Sequence, residues 1–189
     1  MNAIWQLWEA GLSNDICDKI IKEAESYKVE EATIGSANLK KDKQIRKSTI
    51  RWVNSGNETS KFIHNILWDY ATTANKNAFG LDINFLEQIQ YTIYDGNNED
   101  FYDFHHDTFW ANPTMYDRKI SVTIQLSDPE DYEGGEFLFD PQHTQPAQKQ
   151  LKKRGSILVF PSMIRHCVKP VTKGTRKSLV AWIEGPKFR

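Results

Sequence analysis

The stretch KISVTIQL, Lys119 to Leu126, alternates without a break. Ile120, Val122, Ile124 and Leu126 fall on one side; Lys119, Ser121, Thr123 and Gln125 fall on the other. Successive side chains of a strand point to opposite faces, so a strict period of two predicts a strand with one apolar and one polar face. Further strand-like runs fill the chain after Gly80: INFLEQIQYTIY, FYDFHHD, EFLF, GSILVF, RHCVKPV and RKSLVAWI. Short strands at this spacing, separated by turn residues, predict a β-sandwich or barrel.

The chain before Gly80 reads differently. Ser13 is placed to cap a helix with Asp15 in its first turn, and Ile16, Ile20, Ile21 and Ala24 follow on one stripe. A second helix is expected from about Glu58 to Ala78, with Phe62, Ile63, Ile66, Leu67, Tyr70 and Ala74 on its apolar face. Between them, STIRWV (Ser48 to Val53) predicts a strand, and SANLKKDKQIRKS predicts an exposed loop. Lys40, Lys41, Lys43, Arg46, Lys47 and Arg51 make this region basic. It reads as a solvated segment or, in the sharper reading, a flap over a barrel mouth. Helices first and strands after predict an α+β, mainly β fold with the N-terminal helices packed on one sheet. The expectation is one domain over residues 1–189, with 1–80 as helical support carrying one or more strands and 81–189 as the β core.

Composition narrows the function classes. At 189 residues and 39% hydrophobic, the chain can bury a sizeable core. A formal net charge of −1 does not call for a polyanionic partner, so nucleic acid is not expected. Cys17 and Cys167 are the two cysteines, far apart, which points to a reducing compartment such as the cytoplasm. No signal sequence or membrane span is legible.

The chemistry is carried by FHHDTF, Phe104 to Phe109. On a strand, His105 and Asp107 share a face and His106 takes the other. An imidazole and a carboxylate so placed can flank one divalent ion, but the pair alone is weak evidence. His166 lies in a later strand-like run, and Arg176 follows ten residues on. Two histidines and a carboxylate suit non-haem Fe(II) with open coordination positions. Arginine suits a carboxylate, because its planar fork donates two parallel hydrogen bonds and keeps its charge. Ser178, on the same strand face, adds a donor.

In that order and spacing, the motifs YDGNNEDFYDFHHD, YEGGEFLF and GSILVFPSMIRHCVKPVTKGTRKSLVAWIEGP resemble the Fe(II)- and 2-oxoglutarate-dependent dioxygenases. The nearer likeness is to the prolyl 4-hydroxylase branch, over roughly Gln90 to Pro186. The resemblance implies a double-stranded β-helix, or jelly roll. It implies Fe(II) held by His105, Asp107 and His166, and 2-oxoglutarate anchored by Arg176 with Tyr94 helping. Gln125 and Ser121 are weaker candidates for the same pocket. Fe(II), 2-oxoglutarate and O2 are the implied cofactor and cosubstrates, with L-ascorbate as an accessory reductant. The implied reaction is hydroxylation of an unactivated C–H bond, releasing succinate and CO2, with a prolyl residue of a protein or peptide as the substrate. The carboxylate at Asp107 argues for hydroxylation over halogenation in such a fold.

Other readings stand beside these. A nucleic-acid demethylase of this kind carries a second arginine soon after the first, whereas here none follows Arg176 before Arg189. A free amino acid or other small molecule is an alternative substrate, and a non-catalytic binding barrel is an alternative of another class. His106 is expected to be a supporting or surface residue, His64 structural and His143 solvated. Cys167 is expected as a small apolar filler, and Gly134 and Gly135 as a turn or bulge. Phe109, Trp110 and Trp182 are expected in the core, with Trp182 also able to face the pocket.

Overall fold

A computed structural model describes residues 3–32, 44–54, 56–110 and 113–188. Its strands, in chain order, are β1 (Gln6–Trp8), β2 (Glu30–Glu31), β3 (Arg46–Lys47), β4 (Thr49–Val53), β5 (Phe85–Asp95), β6 (Phe101–His105), β7 (Tyr116–Gln125), β8 (Tyr132–Gly134), β9 (Phe137–Phe139), β10 (Ile157–Pro161), β11 (His166–Val168) and β12 (Val171–Pro186). The helices are α1 (Asn14–Glu25), α2 (Lys61–Ala74) and the single turn α3 (Gln148–Leu151).

Two antiparallel sheets result. The larger runs β1-β10-β7-β12-β5-β4-β2, with β8 paired to one end of β12. The smaller runs β3-β6-β11-β9. The alternation read in KISVTIQL sets the architecture of the larger sheet. Ile120, Val122 and Ile124 of β7, Ile89 and Tyr91 of β5, Leu179, Ala181 and Ile183 of β12, and Ile157 and Val159 of β10 all face the helices. There they pack with Cys17, Ile20 and Ala24 of α1 and Ile63, Leu67, Ala71 and Ala74 of α2. Each of these larger aliphatic side chains contributes roughly 1.5–3 kcal/mol of burial. Ser13 caps α1, its hydroxyl accepting from the Ile16 amide. The second helix is shorter than expected at both ends. It starts at Lys61, and after Ala74 the chain widens into a π turn, Asn75–Phe79, closed by Gly80 in the left-handed region.

The other face of the large sheet meets the small one. Tyr94, Leu158, Phe160, Phe137, Phe139 and Val168 form a second core between them. Beside this core the space stays open, as a cavity of about 570 Å³ lined from both sheets. The arrangement is the jelly roll expected from the resemblance. Cys17 and Cys167 are both buried and free. Among the described residues no helix is long and apolar enough to cross a membrane.

The basic segment is corrected in part. Arg46, Lys47 and Arg51 lie in strands and are tied down: Lys47 donates to the Asn98 carbonyl and Arg51 to the Tyr27 carbonyl. Arg46 is buried. Lys40, Lys41 and Lys43 lie outside the described residues.

Candidate active site

β6 ends at His105, so Asp107 sits on the turn beyond the strand, its amide donating to Ser162 O at 2.9 Å. β11 pairs antiparallel with β6, and His166 falls directly opposite His105. Register, not sequence proximity, joins the two histidines. His105 Nε2 lies 3.5 Å from Asp107 Oδ1, and His166 Nε2 lies 3.6 Å from Asp107 Oδ2. One ligand atom from each of the three falls within 4.8 Å of the others, the one such group of His, Cys, Asp or Glu among the described residues.

The rings are oriented for that purpose. His105 Nδ1 contacts Asp103 O at 2.7 Å and His166 Nδ1 contacts Ile164 O at 2.9 Å. A carbonyl accepts only, so each Nδ1 carries the proton and each Nε2 presents its lone pair to the triangle. His105 stacks on Tyr102 at 3.5 Å, while His166 sits against Phe137 and Phe160. Ser121 Oγ donates to Asp107 Oδ2 at 2.6 Å. Burial and the neighbouring His105 push His166 down to about 4, so it is neutral at pH 7. Burial opposes ionisation of Asp107, but the two histidines and Ser121 outweigh it and hold its carboxyl far below the usual range. Two imidazoles and one carboxylate make a donor set that fits Fe(II).

Arg176 and Ser178 project from β12 into the same cavity, as alternation from the helix-facing Leu179 requires. Arg176 is 5% exposed and its guanidinium lies 5.5 Å from the centre of the Tyr94 ring, directly across the ladder. It donates to no acceptor among the described residues, unlike the other two arginines of the cavity. Arg46 donates to Gln90 Oε1 at 2.7 Å and Arg118 to Glu87 Oε2 at 3.0 Å. A buried cation without an acceptor is costly, so Arg176 is the cavity arginine most in need of an anionic ligand. Gly135 makes room for it: at φ +62°, a Cβ there would lie 2.9 Å from Arg176 Cδ. The other nearby cations face elsewhere, Lys173 to Glu133, Lys177 to Glu25 and Arg165 to Asp140. Tyr94 lines the cavity, and burial raises its hydroxyl pKa, so the phenol stays neutral.

Several expectations are corrected. Gln125 does not line the cavity. It ends β7 where β8 covers the sheet, and its amide donates to Ser127 O at 3.1 Å and to the Tyr132 hydroxyl at 3.2 Å. Trp110 is not core but 60% exposed, resting on Phe188 at 5.6 Å. Phe109 lines the cavity, as does Trp182. His106 lines the cavity edge, with Nδ1 2.7 Å from Met163 O, and takes no part in the triangle. His64 stacks on Trp68, and Gly134 and Gly135 both adopt positive φ. His143 is half-buried, its amide donating to Asp140 O.

Arg118, Glu87 and Glu184, none of them singled out above, lie on the cavity wall, and Arg46, expected in a solvated segment or flap, lies there with them. Arg46 was findable: Arg46, Ile50 and Trp52 continue a period of two back from STIRWV. Glu184 was findable too, since Arg176, Ser178, Val180, Trp182 and Glu184 keep a period of two along the cavity face of β12. Arg118 and Glu87 were not, because register shifts at that end of the sheet break the alternation of β7 and β5.

Comparison with known proteins agrees with this geometry. The chain is 38% identical over 78 residues to a PKHD-type hydroxylase of Colwellia psychrerythraea (strain 34H / ATCC BAA-681), covering 41% of this chain and 34% of that protein. It is 40% identical over 65 residues to the PKHD-type hydroxylase YbiX of Escherichia coli O1:K1 / APEC, covering 34% and 28%. The matched stretch thus spans about a third of the length of these relatives. The structure superimposes on a Pseudomonas putida prolyl-4-hydroxylase with TM-score 0.73 at 20% identity, covering 98% of this chain and 94% of that one. A prolyl hydroxylase of Trichoplax adhaerens, solved with a peptide fragment of the hypoxia inducible factor oxygen degradation domain, gives TM-score 0.73 at 17% identity over 95% and 83%. These likenesses establish a shared fold. Residues 89–184, half of the chain and the part holding every residue of the metal triangle, match the 2OG-Fe(II) oxygenase superfamily, and the chain belongs to that family.

Proposed function

We propose that this chain is an Fe(II)- and 2-oxoglutarate-dependent dioxygenase that hydroxylates a prolyl residue in a protein or peptide. One observation carries the reading: a His–Asp–His triangle and an acceptor-free buried arginine share one cavity. His105, Asp107 and His166 would hold the metal through Nε2, carboxylate and Nε2. Fe(II) with 2-oxoglutarate and O2 would supply the C–H oxidation, releasing succinate and CO2. Arg176 would take the distal carboxylate, with Ser178 and Tyr94 beside it. Tyr102, Phe137 and Phe160 would keep the metal ligands dry and fixed. The prolyl assignment is supported by the PKHD-type relatives and by the prolyl hydroxylase neighbours, one of them solved with a peptide. Two buried free cysteines fit a reducing compartment such as the cytoplasm.

The test is a mass-spectrometric screen of proline-containing peptides, proteins and free amino acids, with Fe(II), 2-oxoglutarate and L-ascorbate. The expected result is a gain of one oxygen on proline, matched by succinate. Oxidation of free amino acids alone would move the assignment to a small-molecule hydroxylase. Absence of succinate with every substrate would favour a binding module.

A further inference from the structure

The cavity has two ends, set by β12. Trp182 pairs with Ser121, the residue that hydrogen-bonds Asp107, so the metal triangle sits near that level. Arg176 lies six residues before Trp182, roughly 20 Å along the strand, and Glu184 lies two residues after it, roughly 7 Å. The cosubstrate end and the Glu184 end are therefore on opposite sides of the metal.

The Glu184 end is built from charge and indole. Glu184 is 5% exposed, lines the cavity and has Glu87 within hydrogen-bonding reach. Arg118 lies opposite Glu184 in the ladder but points its guanidinium at Glu87 and Gln88, at 3.0 Å each, with its plane over Trp182 at 4.0 Å. Arg118 and Glu87 balance one another. Glu184 has no ion pair of its own among the described residues, and its ionised form leaves one negative charge uncompensated in a buried wall. Burial, then the charge of Glu87, pushes its carboxyl up to about 7. Trp182 is 6% exposed and its Nε1–H is buried with no acceptor. Trp52 lines the same end, 6.3 Å from Trp182. A buried carboxylate without a cation of its own points to a missing cation. A buried N–H without an acceptor on the same stretch of wall points to a missing acceptor, which a peptide carbonyl supplies and a basic side chain does not. Carboxylates beside indole faces attract cations.

We propose that this end of the cavity recognises a basic side chain of the peptide substrate, seated against Glu184 and Trp52 within a residue or two of the oxidised position. The proposal rests on the reading of the chain as a peptide hydroxylase.

The test is binding to the anaerobic protein loaded with Fe(II) and 2-oxoglutarate, where no turnover occurs. Peptides identical but for lysine, norleucine or glutamate beside the proline are titrated while the Trp182 indole N–H resonance is followed, assigned by its loss in Trp182→Phe. The lysine peptide should bind at least tenfold tighter than the norleucine peptide and more tightly still than the glutamate one. Glu184→Gln should bring lysine and norleucine to within about twofold. Equal binding of the lysine and norleucine peptides overturns the proposal, as does a Glu184→Gln protein that keeps the preference. Equal binding with oxidation of proline overturns this proposal and leaves the hydroxylase reading intact. A lysine preference without oxygen gain upholds this proposal and overturns the prolyl assignment. No binding by any of the three overturns both.

Discussion

At the scale of single residues, the cavity sorts its arginines by whether the protein already supplies an acceptor. Arg46 and Arg118 have one and Arg176 does not. Removing one partner of a buried pair costs roughly 3–5 kcal/mol, on the order of a hundredfold or more in affinity. Arg176→Ala should therefore raise the 2-oxoglutarate Michaelis constant by about that factor while Fe(II) affinity barely moves. Arg176→Lys should fall between, because a point charge replaces a fork. Equal constants for wild type and Arg176→Ala would place the anchor elsewhere. Glu184 makes a second residue-scale prediction. Its carboxyl is raised from 4.5 to about 7, by burial first and then by Glu87, against the opposing charge of Arg118, with Asp117 raising it further. A raised carboxyl favours the folded state below the unfolded value, and that contribution is lost as pH rises through about 7. Urea midpoints should accordingly fall more between pH 5 and pH 8 for wild type than for Glu184→Gln. Parallel falls would mean that Glu184 titrates as an ordinary exposed carboxylate.

At the scale of elements, the turn between β8 and β9 governs the cosubstrate end. Gly135 sits at φ +62° with Arg176 and Val171 within 2.9 Å of where a Cβ would go. Gly135→Ala should cost about 1–2 kcal/mol in backbone strain and displace the guanidinium. The expected readout is a weaker 2-oxoglutarate complex in calorimetry with the metal complex retained; unchanged 2-oxoglutarate affinity would show that the arginine finds its place without this turn. The helix–sheet layer is separate. Leu67→Ala should cost about 2–5 kcal/mol by urea unfolding without changing either cofactor's affinity, since Leu67 packs wholly on the face away from the cavity. A coupled loss of metal affinity would show that the layers are not independent.

At the scale of the whole molecule, what could be read from the sequence follows from what is local. The period of two in KISVTIQL assigned both faces of β7, and through them the helix layer and the cavity layer. The Ser13 cap and the α1 stripe are equally local. The pairing of His105 with His166 is not local; it was legible only through the likeness to a family whose spacing it shares. Gln125 was misplaced because alternation gives a face but not what covers that face, here Tyr132. Trp110 was misplaced because a large aromatic usually packs inside, yet it sits on a turn past the last strand of the motif. Arg118 and Glu87 escaped because a bulge has no signature in a single sequence, whereas Glu184 simply continues the alternation of Arg176, Ser178 and Trp182.

The central claim is that one cavity assembles a metal from three side chains and an anion on Arg176. Calorimetric titration of 2-oxoglutarate into the anaerobic protein, with and without one equivalent of Fe(II), tests it most directly. The account predicts one 2-oxoglutarate per chain with Fe(II) and far weaker binding without it. It also predicts loss of the Fe(II)-dependent binding in His105→Ala, Asp107→Ala and His166→Ala. Binding of the same strength without Fe(II), or undiminished Fe(II)-dependent binding in the His166→Ala protein, would contradict it.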